Sequence, residues 1–347
     1  MPLSCLSRSA RKRHFSFTAP TTPSGRPCIG GNAQRLPTAA TLNTRRLGHT
    51  ATFAPRLPPL TPPAMKLIEC PRDAMQGLPD FIPTATKTAY LNALLQVGFD
   101  TLDFGSFVSP KAIPQLRDTA EVLAGLDLSA TTTELLAIVA NRRGAETALQ
   151  HPEISYLGFP LSVSETFQRR NTNQSIAEAL TDVAAMHELC EQRGKTLVTY
   201  LSMGFGNPYG DPWNPETVTD FTRRLAELGV RVVALSDTIG ASTAATITPL
   251  FAQLIPAFPG VEFGAHLHTT PATWREKVAA AYEAGCRRFD GAIGGIGGCP
   301  MAADELTGNM ATENLLAFLA EKNLASGLNQ AAFARARAVA AEMFALH

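Results

Sequence analysis

From residue 66 onward the chain repeats one unit eight times: a short β-branched or apolar run, then a longer segment with helical patterning. The runs are Lys66–Cys70, Thr101–Gly105, Leu135–Val139, Ile154–Gly158, Thr196–Leu201, Val232–Ser236, Val261–Ala265 and Arg288–Ala292. Between them lie helix-like stretches such as Thr84–Val97, Ser175–Arg193, Pro215–Leu228 and Pro271–Ala284. Several of these follow a capping residue or carry a proline near the start. Strands that alternate with helices in this way read as parallel βαβ units. Eight of them over about 280 residues predict a closed (β/α)8 barrel. A doubly wound open sheet is the alternative. A last helical segment, Gln330–Leu346, is expected to pack outside the barrel as a C-terminal extension.

The 347-residue chain is electrically divided despite its formal net charge of zero. Residues 1–64 hold nine of the 30 basic residues and no acid, whereas residues 65–347 hold all 30 acids against 21 bases. An acidic body argues against nucleic acid as a partner, because that affinity depends on phosphate neutralisation. No apolar run reaches 18 residues, so no membrane partner is expected. The basic segment resembles an organelle transit peptide in its Arg, Ser and Thr content. Its prolines oppose the amphipathic helix such peptides form. The favoured reading is an upstream extension, with Met65 as the natural start of a barrel domain over 65–347. That predicts disorder in 1–64 and a cytoplasmic protein, or a mitochondrial-matrix one if the segment is a transit peptide. Six cysteines without a CxxC pair point to reduced thiols.

Barrel chemistry gathers at the C-terminal ends of the strands. Arg72 and Asp73 follow the first run, Asp103 and Ser106 end the second, and Asn141 follows the third. Asp237 and Thr238 follow the sixth, His266 and His268 end the seventh, and the eighth leads to Cys299 and Asn309. Histidines at i and i+2 on a strand point to the same side. A carboxylate, two imidazoles and an amide oxygen suit Mg²⁺ or Mn²⁺. Taken singly, Asp73 reads equally well as a helix cap, and either histidine as a hydrogen-bonded core residue. Cys299 differs from Cys190 and Cys286, which read as small buried apolar residues. It follows Gly294-Gly295-Ile296-Gly297-Gly298 and precedes Pro300, so a loop delivers it. A thiol so placed can exchange a proton once the loop closes.

Six segments together carry a resemblance. They are Cys70-Pro71-Arg72-Asp73, Gly105–Lys111, Ser236-Asp237-Thr238-Ile239-Gly240, Ala265-His266-Leu267-His268, Gly294–Pro300 and Gly308–Glu313. The region from 66 to 325 resembles the 3-hydroxy-3-methylglutaryl-CoA (HMG-CoA) lyase branch of the HMG-CoA lyase/isopropylmalate synthase superfamily of TIM barrels. The Gly-Gly-Cys-Pro loop marks the lyase branch, since the condensing synthases usually carry Gly-Glu-Arg there. The resemblance implies that Asp73, His266, His268 and Asn309 hold the divalent cation. It also implies that Arg72 stabilises an enolate oxygen, that Asp237 takes part in proton transfer and that Cys299 delivers a proton. Asp103 stands where the family usually has Glu. The substrate implied is an acyl-CoA thioester, with HMG-CoA as the reference case. Such barrels are often homodimers, although no interface signature stands in this sequence.

Departures from the family pattern fall around the substrate. The usual Arg-Asp-Gly-Leu-Gln-Asn-Glu is here Arg72-Asp73-Ala74-Met75-Gln76-Gly77-Leu78, and His-Asp-Thr becomes His268-Thr269-Thr270. The loop after the fifth run, Met203–Tyr209, lacks the usual cysteine pattern. The expectation is therefore a divergent, metal-dependent carbon–carbon lyase whose acyl group need not be that of HMG-CoA. A condensing transferase or aldolase of the same superfamily and a non-catalytic binding barrel are the alternatives.

Overall fold

The computed structural model describes residues 64–298 and 307–345. Eight parallel strands close into a barrel in sequential order. Strand β1 (Lys66–Glu69) leads into helices α1 (Pro71–Gln76) and α2 (Thr84–Leu95). Then follow β2 (Thr101–Ser106), α3 (Thr119–Ala124), β3 (Glu134–Ile138), α4 (Arg142–Ala148) and β4 (Ile154–Ser162). After α5 (Glu165–Thr172) and α6 (Ile176–Gln192) come β5 (Thr196–Ser202), α7 (Pro215–Glu227), β6 (Val232–Ser236) and α8 (Ala244–Ala257). The barrel ends with β7 (Glu262–His266), α9 (Trp274–Glu283) and β8 (Arg288–Gly291), which pairs with β1. Helices α10 (Thr312–Glu321) and α11 (Gln330–Ala345) follow. The predicted barrel and C-terminal extension are both present.

The strand pleat sorts the apolar residues into two layers. Leu135, Ala137, Leu197, Leu201, Val233 and Leu235 face the helices in the large outer core. Leu136, Ile138, Val198, Tyr200, Val232 and Ala234 fill the barrel itself. Helix starts follow local chemistry. Ser175 and Glu178 form a capping box at α6, and Asn214 accepts the Thr217 amide before Pro215 opens α7. Helix α11 lies against α2, with Phe333 edge-on to Phe99 and Phe344 edge-on to Tyr90. Among the described residues no helix is long and apolar enough to cross a membrane.

Candidate active site

The polar residues at the strand ends meet at one mouth of the barrel. Register explains which of them face inward. Ser236 on β6 is level with His266 on β7, which is level with Asp290 on β8, which is level with Ile68 on β1. Strand β7 ends at His266, so His268 lies beyond it rather than on it as the sequence suggested. His268 is held instead by an antiparallel bridge to Asn309. The Thr269 amide donates to Gly308 O (2.8 Å) and the Met310 amide to Leu267 O (3.0 Å). This short pairing returns the chain from beyond β8 to β7 and carries Asn309 into the site. The two imidazole centroids are 5.4 Å apart.

Helix α1 begins at Pro71, where the absent N–H costs nothing. It places Arg72, Asp73 and Gln76 on neighbouring faces. Arg72 donates from Nε and Nη2 to Asp103 (Nη2 to Oδ2, 2.5 Å) and from Nη1 to Asp73 (3.0 Å) and Gln76 (2.9 Å). Of the five guanidinium protons, one on Nη2 is left over. Asp103 is fully buried and absent from the cavity wall, so its contact is with Arg72 rather than with the cavity.

One ligand atom each from Asp73, His266 and His268 lie within 4.8 Å of one another. Burial pushes the Asp73 carboxyl up, but Arg72, the two histidines and the Asn309 amide outweigh it and hold it low. His268 is brought down to about 4 by burial and by His266, so it is neutral and able to ligate. His266 Nδ1 lies 3.1 Å from Asp290 Oδ2, which leaves Nε2 as the nitrogen available to ligate. Burial lowers its pKa, but Asp290 and Asp73 raise it further than burial takes it down. Asn309 spends both amide protons, on Asp73 Oδ2 (2.7 Å) and Ile296 O (2.9 Å), which leaves Oδ1 to ligate. The set of carboxylate, imidazole and amide donors fits a divalent cation of the Mg²⁺ or Mn²⁺ class. Cys70, His266 and Asp290 also approach one another. Burial and the adjacent carboxylates push the Cys70 thiol far up, so it offers no thiolate ligand.

Arg72, Asp73, Gln76, His266 and His268 line one side of a cavity of about 390 Å³. Val108, Ile113, Ile138, Pro160, Phe167 and Tyr200 make an apolar wall, and Arg170 stands at the exposed rim. Tyr200 packs edge-on to His266, and its hydroxyl has no partner among the described residues. Asp290, Gln76 and Tyr200 were not singled out in the sequence. The one available signal was that Asp290 falls on an inward strand position.

Asp237 is not brought to the cavity. Its Oδ1 accepts the Ser242 amide (2.9 Å), and its Oδ2 accepts the Ser242 hydroxyl (2.5 Å) and the Lys277 ammonium (2.7 Å). It is 1% exposed, with both oxygens committed, and this departs from the proton-transfer role the resemblance implies. Asn141 likewise caps α4 through Gly144 and leaves the wall to Ala140. Cys299 lies outside the described residues. Cys190 and Cys286 are free and buried, as expected of apolar filler.

The glycine run packs against the site. A Cβ on Gly297, whose φ is +96°, would sit 2.8 Å from Ala74 Cα, Asp73 O and Asn309 Nδ2 alike. Upstream of it, the Ile293 amide donates to Glu69 Oε1 (2.8 Å) and the Thr312 hydroxyl to Oε2 (2.5 Å). Glu69 is wholly buried, and burial pushes its carboxyl up to about 8 against the pull of those two bonds.

Comparison with known proteins identifies the family. The family model described as HMGL-like matches residues 65–340. The hydroxymethylglutaryl-CoA lyase YngG of Bacillus subtilis is 35% identical over 254 residues, covering 73% of this chain and 84% of its own. A 3-hydroxy-3-isohexenylglutaryl-CoA/hydroxymethylglutaryl-CoA lyase of Pseudomonas aeruginosa is 32% identical over 269 residues, covering 77% and 89%. Among solved structures, an HMG-CoA lyase from Acinetobacter baumannii in complex with coenzyme A and 3-methylmalate superposes with a TM-score of 0.75. It is 28% identical and covers 81% of this chain and 91% of its own.

Proposed function

The chain belongs to the HMGL-like family, and on that premise we propose that it cleaves the C2–C3 bond of a 3-hydroxyacyl-CoA as an oxo-acid lyase. The reference reaction is HMG-CoA to acetyl-CoA and acetoacetate. The observation that carries this reading is the meeting of Asp73, His266 and His268 beside Arg72 at the C-terminal mouth of the barrel. The reaction needs three things. The C3 hydroxyl must lose its proton as C3=O forms, the C2–C3 electron pair must be accepted as a thioester enolate, and C2 must then be protonated.

Asp73, His266, His268 and Asn309 are the residues that would hold a divalent cation, which when bound acidifies the hydroxyl and orients the substrate. Arg72 supplies the enolate's counter-charge through its remaining Nη2 proton. Asp103 and Asp73 fix the guanidinium, so little reorganisation accompanies charge development. Asp290 keeps the His266 ring in the orientation that presents Nε2. The wall from Val108 to Tyr200 excludes water from the acyl group. Cys299, from its place in the Gly-Gly-Cys-Pro sequence, is the proposed donor to C2.

The test is a panel of 3-hydroxyacyl-CoA thioesters assayed after exhaustive chelation and after addition of Mg²⁺ or Mn²⁺. Cleavage to a free keto acid and a shorter acyl-CoA, lost on chelation and restored by either ion, is the expected result. Full turnover in the chelated protein would overturn the metal-site reading. Release of free CoA from acetyl-CoA plus a keto acid would show a condensing enzyme instead.

A further inference from the structure

The two histidines are held in different ways. His266 has its ring anchored, through Nδ1, by Asp290. Neither ring nitrogen of His268 makes a hydrogen bond to another described residue, although the side chain is almost wholly buried. What fixes His268 is its main chain, and its carbonyl oxygen accepts from Lys277 Nζ at 2.8 Å.

Lys277 sits one turn into α9 and is 3% exposed. A buried ammonium is costly unless each of its protons finds a partner. Here all three do: Asp237 Oδ2 at 2.7 Å, His268 O at 2.8 Å and Gly240 O at 3.0 Å. The side chain thereby ties α9 to two loops at the barrel mouth, the turn after β6 and the segment after β7. Gly240 closes the first of these with φ +71° and donates its amide to Asp237 O. The Asp237 amide in turn donates to His266 O (2.9 Å), so the carbonyls of both histidines are gripped from the same node. The residue directly after His268 is Thr269, whose hydroxyl turns to Met310 Sδ at 4.0 Å.

We propose that Lys277 is a positioning residue for the metal site, holding His268 through its backbone carbonyl as Asp290 holds His266 through its ring, with Asp237 as the counter-ion of Lys277. The inference rests on the reading of His268 as a ligand. Loss of an orienting partner of this kind typically weakens metal affinity by about 10–100-fold.

Lys277→Met alone leaves Asp237 as an unpaired buried carboxylate and can fail to fold. The paired variant Asp237→Asn/Lys277→Met removes both charges and keeps an acceptor for the Ser242 amide. Asp237→Asn alone removes the counter-ion of Lys277 but leaves the ammonium in place with the Gly240 and His268 carbonyls as acceptors. Two measurements are made on each protein: Mn²⁺ affinity by titration, followed by the Mn²⁺ electron paramagnetic resonance spectrum, and amide hydrogen exchange over 266–270 in the metal-free protein.

The paired variant should bind Mn²⁺ about 10–100-fold more weakly, with an altered spectrum and faster exchange over 266–270. Asp237→Asn should lose less than the paired variant in both. Wild-type affinity and wild-type exchange in the paired variant would overturn the proposal. So would an equal loss in Asp237→Asn, because the carboxylate rather than the lysine would then be the support. If His268→Ala left Mn²⁺ binding intact, the ligand reading would fail. The exchange measurement would still decide whether Lys277 holds the segment.

Discussion

Replacing Glu69 by glutamine should make the protein more stable than wild type as pH rises, and the size of the gain follows from the carboxyl's surroundings. Glu69 is completely buried, and its carboxyl is pushed from 4.5 to about 8. Between those values the folded protein keeps a proton that the unfolded chain has released. Stability therefore falls as pH rises, by about 1.4 kcal/mol per pH unit. Across the whole window, from 4.5 to about 8, wild type loses about 5 kcal/mol relative to a side chain of the same shape that cannot ionise. Glutamine keeps an acceptor for the Ile293 amide and a group to meet the Thr312 hydroxyl. The assay is urea unfolding of both proteins at pH 5.5 and pH 7.5. The difference between them should move by about 3 kcal/mol in favour of Glu69→Gln, since two pH units of the window are crossed. Other titrating groups are common to both proteins and cancel. A difference that stays constant, or moves towards wild type, would show that Glu69 is ionised in the folded protein.

Three other outcomes are expected. Gly297→Ala should cost about 1–3 kcal/mol in stability and also weaken Mn²⁺ binding, because the new Cβ meets Asp73 and Asn309 together; unchanged melting and titration would refute the close approach. Cys299→Ser should lower kcat by about 10²–10⁴-fold with metal affinity retained, whereas Cys190→Ser should not affect turnover; a near wild-type kcat in Cys299→Ser would remove this thiol from the mechanism. A chain starting at Met65 should keep its melting temperature and turnover, since β1 begins at Lys66 and the family match at residue 65; a large loss of either would show that residues 1–64 support the barrel.

What the sequence displayed well was whatever depends on period and on nearest neighbours. The eight apolar runs fall close to the eight strands because parallel barrel strands are buried on both faces. Arg72, Asp73 and the two histidines could be placed at the mouth because each lies at, or within a few residues of, the C-terminal end of a strand. Less legible were the contacts between elements. Asp103 looks like another rim acid, and only the fold shows it directed at Arg72 from a neighbouring strand. Asp237 looks the same, yet a lysine forty residues away occupies it. Lys277 itself reads as an ordinary charged position on an amphipathic helix, and nothing within its own segment marks it as buried. Departure of His268 from β7 was hidden for a related reason. Its pairing partner is Asn309, which follows the eighth strand rather than the sixth.

The bond from Asn309 to Asp73 joins residues 236 positions apart, and the one from Thr312 to Glu69 spans 243. Contacts this remote in sequence are slow to form, because loop closure costs entropy before the contact repays it. During synthesis Asp73 emerges long before either histidine, and Asn309 comes last. On the proposed ligand set, an unfinished chain therefore lacks the groups with which to trap an ion. Metal affinity would then belong to the closed barrel alone, and Mn²⁺ uptake during refolding would be a clock for the docking of β8 onto β1.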